Sequence, residues 1–207
     1  LFCYEAACGI FVDASITTTQ DIDLLFDSRS RLHLIGDPDL SDDTLLQLLQ
    51  LADRSFRRTR QTFRAENDEG YLVDLIKPVP SPPWRPERSK VGRSGEDGDL
   101  EAAEIAGLEW LENAPSFEQM AIDVRGYPLP IATIDPRVFA IHKFWLASRE
   151  DRDRMKLTRD RAQAFTVAAM VRTYLQHLPF DAGELRMLPK AVVDDALNAF
   201  AAAEPGG

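Results

Sequence analysis

The chain predicts an α+β fold: a mixed head of strands and helices, followed by a helical C-terminal part. Three observations carry this. Short runs rich in β-branched and apolar residues alternate with helical stripes over residues 1–77. A stretch rich in Pro, Gly and charge interrupts the pattern at 78–99. From residue 136 onward the apolar spacing is helical almost throughout.

Residues 1–10 (LFCYEAACGI) read as the second half of a helix closed by Gly9. Residues 16–26 (ITTTQDIDLLF) read as a strand. Ser41 is the expected cap of a helix over 41–53, with Asp42 and Asp43 in its first turn. Leu45, Leu46, Leu48 and Leu49 form its apolar stripe. Two strands follow at 61–66 and 71–77, joined by a hairpin turn in NDEG at 67–70. The run PVPSPPW followed by RSKVGRSGEDGD at 78–99 cannot hold a packed core and reads as a mobile loop or linker. A helix is expected over 100–113, then a strand pair over 117–125 and 129–133 turning at Gly126. Helices over 136–148, 158–178 and 189–203 complete the chain, with Pro136 and Pro189 suited to first-turn positions.

Composition narrows the function classes. The 207 residues carry 24 Lys+Arg against 34 Asp+Glu, a net charge of −10. That balance argues against general DNA binding, since phosphate contacts need basic side chains. At 44 % hydrophobic the chain can bury a core, and no apolar run approaches the roughly 18 residues of a membrane span. Cys3 and Cys8 are the only cysteines, and their spacing of five fits neither a local disulfide nor a metal motif. A reducing, cytoplasmic setting is expected, and the preference for Arg over Lys hints at a GC-rich bacterial genome. The chain opens at Leu1 inside a helical pattern and without Met, so an upstream segment is expected.

The sharpest chemical feature is TTTQDIDLL at 17–25. Asp21 and Asp23 lie two apart on a predicted strand, so their carboxylates share a face while Ile22 and Leu24 turn toward a core. Paired carboxylates of this kind suit Mg2+, which takes one or two of them with phosphate oxygens and water. The bland alternative is a solvated Asp pair near a strand end. Asp74 adds weight, standing inside the otherwise apolar YLVDLI run at 71–76. A charge there needs a partner. If the two strands are neighbours, Asp21, Asp23 and Asp74 form a three-carboxylate cluster of the type that holds metal ions for in-line phosphoryl or nucleotidyl transfer. The alternative for Asp74 is an ion pair with Arg57, Arg58, Arg60 or Arg64.

Further along, AIHKFW at 140–145 sets His142 and Lys143 in a nearly encircling apolar helix. Lys143 needs an anion or must snorkel to water, and His142 reads as a structural histidine. The charged run 150–161 reads as a solvated helix end over Asp151 to Arg154. The arginines at 54, 57, 58, 60 and 64 read either as surface charge or as a steering patch for a polyanion such as RNA.

These stretches resemble the nucleotidyltransferase superfamily of DNA polymerase β type, and more closely an uncharacterised bacterial nucleotidyltransferase-like family. YEAACGI at 4–10, TTQDIDLLFD at 18–27, GYLVDLIKP at 70–78, LEWLENAPSFEQMAID at 108–123 and the DPRVFAIHKFW to RDRAQA region at 135–164 carry the resemblance. It implies a nucleotidyltransferase-like mixed β-sheet flanked by helices. Residues 1–77 would be an N-terminally incomplete catalytic core, 78–99 a flexible linker, and 100–207 an α/β and then helical region completing the nucleotide cleft. Asp21, Asp23 and Asp74 would be the catalytic metal ligands, for Mg2+ or Mn2+. Thr19, Gln20, Lys143, Arg159 and Asp160 would bind nucleotide, with Asp160 orienting Lys143 or an arginine. The superfamily's phosphate-gripping Gly-Ser or Gly-Thr element would lie upstream of Leu1. The implied reaction moves an NMP from an NTP to an acceptor hydroxyl on a small molecule, RNA or protein, with no membrane partner. A catalytically inactive nucleotide-binding or regulatory module, a toxin-like nucleotidyltransferase of a toxin–antitoxin pair, and a partner-binding scaffold using the Pro-rich stretch are the other expectations.

Overall fold

A computed structural model describes residues 1–17, 21–25, 44–80, 99–122, 125–181 and 183–203. The architecture is α+β, with a mixed sheet and a helical C-terminal part. Two compact units divide the chain: residues 19–112, and residues 1–18 together with 113–207.

The unit over 19–112 is built on one sheet. Its strands are β1 (Asp21–Leu25), β2 (Arg57–Arg58), β3 (Arg64–Glu66), β4 (Leu72–Pro78) and β5 (Ala103–Ile105). The order runs β1-β4-β3-β2, with β5 pairing the far end of β4. β4 is the buried central strand, parallel to β1 and β5 and antiparallel to β3. The Asn67–Gly70 turn joins β3 to β4, and Gly70 takes a φ of 77°, a conformation that disfavours any side chain. Helix α3 (Leu45–Ala52) starts at Thr44, whose hydroxyl accepts from the Gln47 N–H while Gln47 caps the Thr44 N–H in return. The Asp99 carboxylate accepts from the Leu46 N–H at 3.2 Å. Leu45, Phe56, Ala65, Val73, Leu75 and Leu100 form the core, with Leu24, Leu46 and Leu49 packed against it. The expected cap at Ser41 lies outside the described residues.

Two readings change, one ahead of this unit and one within it. Residues 16 and 17 belong to a short helix, α2 (Ala14–Thr17), at whose start Asp13 accepts from the Ser15 N–H at 2.8 Å. The 100–113 helix is instead β5 followed by the short α4 (Leu108–Glu112). Gly107, at φ 86°, breaks any continuous helix there, and the free edge of β4 draws Ala103–Ile105 into the sheet.

In the other unit, α1 (Phe2–Cys8) packs on an antiparallel pair, β6 (Ser116–Ile122) and β7 (Pro128–Ile134). Tyr4 anchors this contact: it is buried, its hydroxyl donates to the Ile134 carbonyl at 2.8 Å, and its ring meets Phe117 and Phe139 edge-on. Helices α5 (Pro136–Ser148), α6 (Arg154–Tyr174) and α7 (Lys190–Ala202) follow. Phe144, Phe165 and Phe200 cluster edge-to-face between them. α6 begins four residues before the expected start, because Asp153 caps it by accepting from the Met155 N–H at 2.9 Å. Pro189 takes the cap position of α7, one residue outside the helix. Among the described residues no helix is long and apolar enough to cross a membrane.

The start of α5 rests on a buried ion pair. Arg137 donates through both Nε and a terminal nitrogen to Asp135, and also reaches the Pro179 carbonyl and Glu184. Asp135 and Arg137 are each only 3 % exposed. Hydrogen bonding to Asp135 outweighs burial and raises the Arg137 pKa further. Removing the guanidinium strands a buried carboxylate. Arg137→Ala is therefore expected to lose about 3–5 kcal/mol in urea unfolding at neutral pH; a loss below about 1 kcal/mol, the scale of a surface pair, would show the pair is not a structural anchor.

Candidate active site

The parallel register of β1 and β4 aligns Asp21 with Leu72, Ile22 with Val73, and Asp23 with Asp74. Aligned residues of neighbouring strands point to the same face, about 4.8 Å apart across the ladder. Asp21, Asp23 and Asp74 therefore share one face. Val73 and Leu75 point to the other and fill the core with Leu24. The DxD alternation and the lone Asp of an apolar strand thus converge, as the period of two dictates. Ile22 departs from expectation: it is on the core-side parity yet 42 % exposed, since β1 stands at the end of the described strand order while its register partner Val73 is buried on the central β4.

The three carboxylates differ in setting. Asp21 and Asp23 are exposed, whereas Asp74 is 7 % exposed. β3 brings Arg64 directly opposite Asp74. The Leu75 N–H donates to the Phe63 carbonyl at 2.8 Å, so the neighbouring Arg64–Asp74 pair is of the non-hydrogen-bonded kind, in which side chains lie closest. The guanidinium grips both carboxylate oxygens, Nε to one and a terminal nitrogen to the other, each at 2.6 Å. That hydrogen bonding raises the Arg64 pKa against burial, and the charges of Asp74, Asp21 and Asp23 add to it. The ion-pair alternative for Asp74 is thus the arrangement seen, with Arg64 as the partner. Among the described residues no three His, Cys, Asp or Glu side chains stand in a metal-holding arrangement. The donor chemistry of the face, three hard carboxylates, fits Mg2+ or Mn2+.

A second charged cluster lies between α5 and α6. Asp160, 3 % exposed, accepts from Lys143 Nζ at 2.8 Å and from Arg152 Nε at 2.8 Å. Burial alone would raise the Asp160 pKa, but the hydrogen bonds and charges of Lys143 and then Arg152 overcome it and hold the carboxyl below its usual range. Two cations on one carboxylate leave a net positive charge. The Lys143 and Arg152 side chains are 22 % and 28 % exposed, so both reach solvent. Arg159 is exposed on α6.

Thr19 and Gln20 lie outside the described residues. Arg152, read as part of a solvated run, is instead a partner of buried Asp160. The signal was available, since Asp153 suits an N-cap and places Arg152 just ahead of α6. Gln163, which carries no local sequence signal, is buried one turn beyond Asp160 and donates to the Ile16 carbonyl at 2.9 Å. Arg57 pairs with Asp68 at the exposed surface, and Arg58 donates to the Asp99 carbonyl.

The fold and this acidic sheet face define a nucleotidyltransferase-like α+β protein. A family model described as Nucleotidyltransferase matches residues 1–188, and the chain belongs to that family. No curated protein and no solved structure matches the chain.

His142, beside Lys143, is buried and stacks at a tilt on Trp145. Burial, then the Lys143 charge, push its pKa from 6.5 down to about 4. The folded imidazole therefore stays neutral where the unfolded one is already protonated. Stability from this group is complete above the unfolded value and falls as pH drops toward the folded one. Urea unfolding is expected to show about 2–3 kcal/mol less stability at pH 4.5 than at pH 7 from this residue, and His142→Gln should remove that part of the slope. Equal pH slopes in the two proteins would contradict a buried neutral histidine.

Proposed function

We propose that the chain transfers an NMP from an NTP to an acceptor hydroxyl, with Mg2+ or Mn2+ held by Asp21, Asp23 and Asp74. The observation that carries this reading is the β1–β4 register, which gathers three carboxylates on one face of a sheet in a nucleotidyltransferase-family chain. When bound, the metal supplies positive charge against the triphosphate and the leaving pyrophosphate. Asp21 and Asp23 would serve as hard oxygen ligands, and Asp74, once released by Arg64, would accept the proton of the acceptor hydroxyl.

The Lys143–Asp160–Arg152 cluster is the chain's other contribution. Its surplus positive charge suits phosphate oxygens, and Asp160 fixes the Lys143 ammonium so that little is lost in ordering it. Arg159, exposed on α6, would add a second guanidinium fork for phosphate. Cys3 and Cys8 are both free thiols, in keeping with a reducing, cytoplasmic setting. One observation favours the second reading, a catalytically inactive nucleotide-binding or regulatory module: the Arg64 fork on Asp74. That reading requires the fork to persist when metal and nucleotide are both present.

A thermal-shift titration of the full-length protein separates them. With Mg2+ or Mn2+, the correct NTP at about a hundred times its Kd is expected to raise the melting temperature by about 5–10 °C. Omitting metal, or combining Asp21→Asn with Asp23→Asn, should abolish the shift. A metal-independent shift would favour the inactive module. No shift from any NTP with either ion would sink the nucleotide reading.

A further inference from the structure

Resting on the metal reading of Asp21, Asp23 and Asp74, we propose that Arg64 is a built-in counter-ion that holds Asp74 in the metal-free protein and must yield it for metal to bind. Arg64 thus sets metal affinity by competition, a positioning role exerted through Asp74.

The argument starts from burial. Asp74 is 7 % exposed on the central strand, and a carboxylate so placed is costly without a positive partner. Its nearest acidic neighbours make matters worse. Asp23 is its register partner across β1, and Asp21 is two residues along the same face. Three like charges in one patch of sheet repel one another. Arg64 is the cation that the register brings to this face, directly opposite Asp74. It takes one lone pair on each carboxylate oxygen at 2.6 Å, so a second cation on Asp74 would have to share these oxygens with the guanidinium or displace it.

The side chain is also placed to leave. Its exposure is 29 %, against 10 % for that of Asp74, so the guanidinium sits on the solvent side of the pair. β3 is only three residues long, and the arginine stem is long and flexible. A divalent cation held at Asp74 would supply more charge than the guanidinium and would repel it, so the two cations would compete for one carboxylate. An arginine suits this role better than a lysine, because its planar fork satisfies both oxygens at once while the site waits.

Manganese alone is the probe, read by the loss of the free-ion electron paramagnetic resonance signal in wild type, Arg64→Gln and Arg64→Lys, each also melted with and without the ion. Arg64→Gln is expected to bind Mn2+ at least tenfold more tightly than wild type. It should melt lower without metal and regain more on adding Mn2+ than wild type does, an exchange that a purely structural salt bridge would not show. Arg64→Lys keeps the charge but loses the fork, and should bind about threefold more tightly; it carries the test if the glutamine variant does not fold. Equal or weaker Mn2+ affinity in the variants, with clear binding in wild type, overturns the role of Arg64 and leaves the metal site standing. No Mn2+ binding in any of the three overturns both.

Discussion

One constraint governs the sheet: a carboxylate buried on its central strand needs a cation. Asp74 sits in β4 between β1 and β3, in a run where the residues on either side are apolar core. The parallel register with β1 adds Asp23 and Asp21 to its face, and the antiparallel register with β3 adds Arg64. The acidic face and its arginine are therefore products of the same strand pairings that bury Val73 and Leu75 on the opposite side. A slip of one residue in β4 would turn Asp74 into the core and Leu75 onto the acidic face. Core packing and site assembly are in this way fixed by one register.

The same solution recurs in the other unit. Asp135 is matched by Arg137, and Asp160 by Lys143 and Arg152. The bidentate grip of Arg64 and Arg137 contrasts with the split donors on Asp160. Where a single guanidinium closes both oxygens, the carboxylate charge is fully matched and no positive charge is left over. Where two cations share one carboxylate, positive charge is left over and faces solvent. A net charge of −10 over the whole chain hides these local balances.

Much of this was legible in the sequence, and for physical reasons. The period of two placed Asp21 and Asp23 on one face, and an aspartate inside YLVDLI announced a buried charge in need of a partner. The helix over 136–148 was legible to the residue, because Asp135 and Pro136 form a strong start signal. Less legible was anything set by tertiary pairing. Nothing local in residues 103–105 announces a strand; the edge of β4 makes it one. Arg64 was one of five arginines, and only the hairpin register, which pairs residue 64 with 74, singles it out. Arg152 lay in a run whose alternating charges favour a solvated reading, and its partner is buried eight residues away. Ile22 obeyed the alternation but not the burial, since parity tells which face a side chain takes and not where the core ends.

The central claim is that the shared face of β1 and β4 holds a divalent cation in place of the Arg64 guanidinium. Its most direct test is a crystal structure of the protein soaked in Mn2+, with the anomalous signal of the ion located. The account predicts a peak contacting the carboxylates of Asp23 and Asp74, with Asp21 in reach and the Arg64 side chain displaced toward solvent. An intact Arg64–Asp74 fork with no anomalous peak on that face would contradict it.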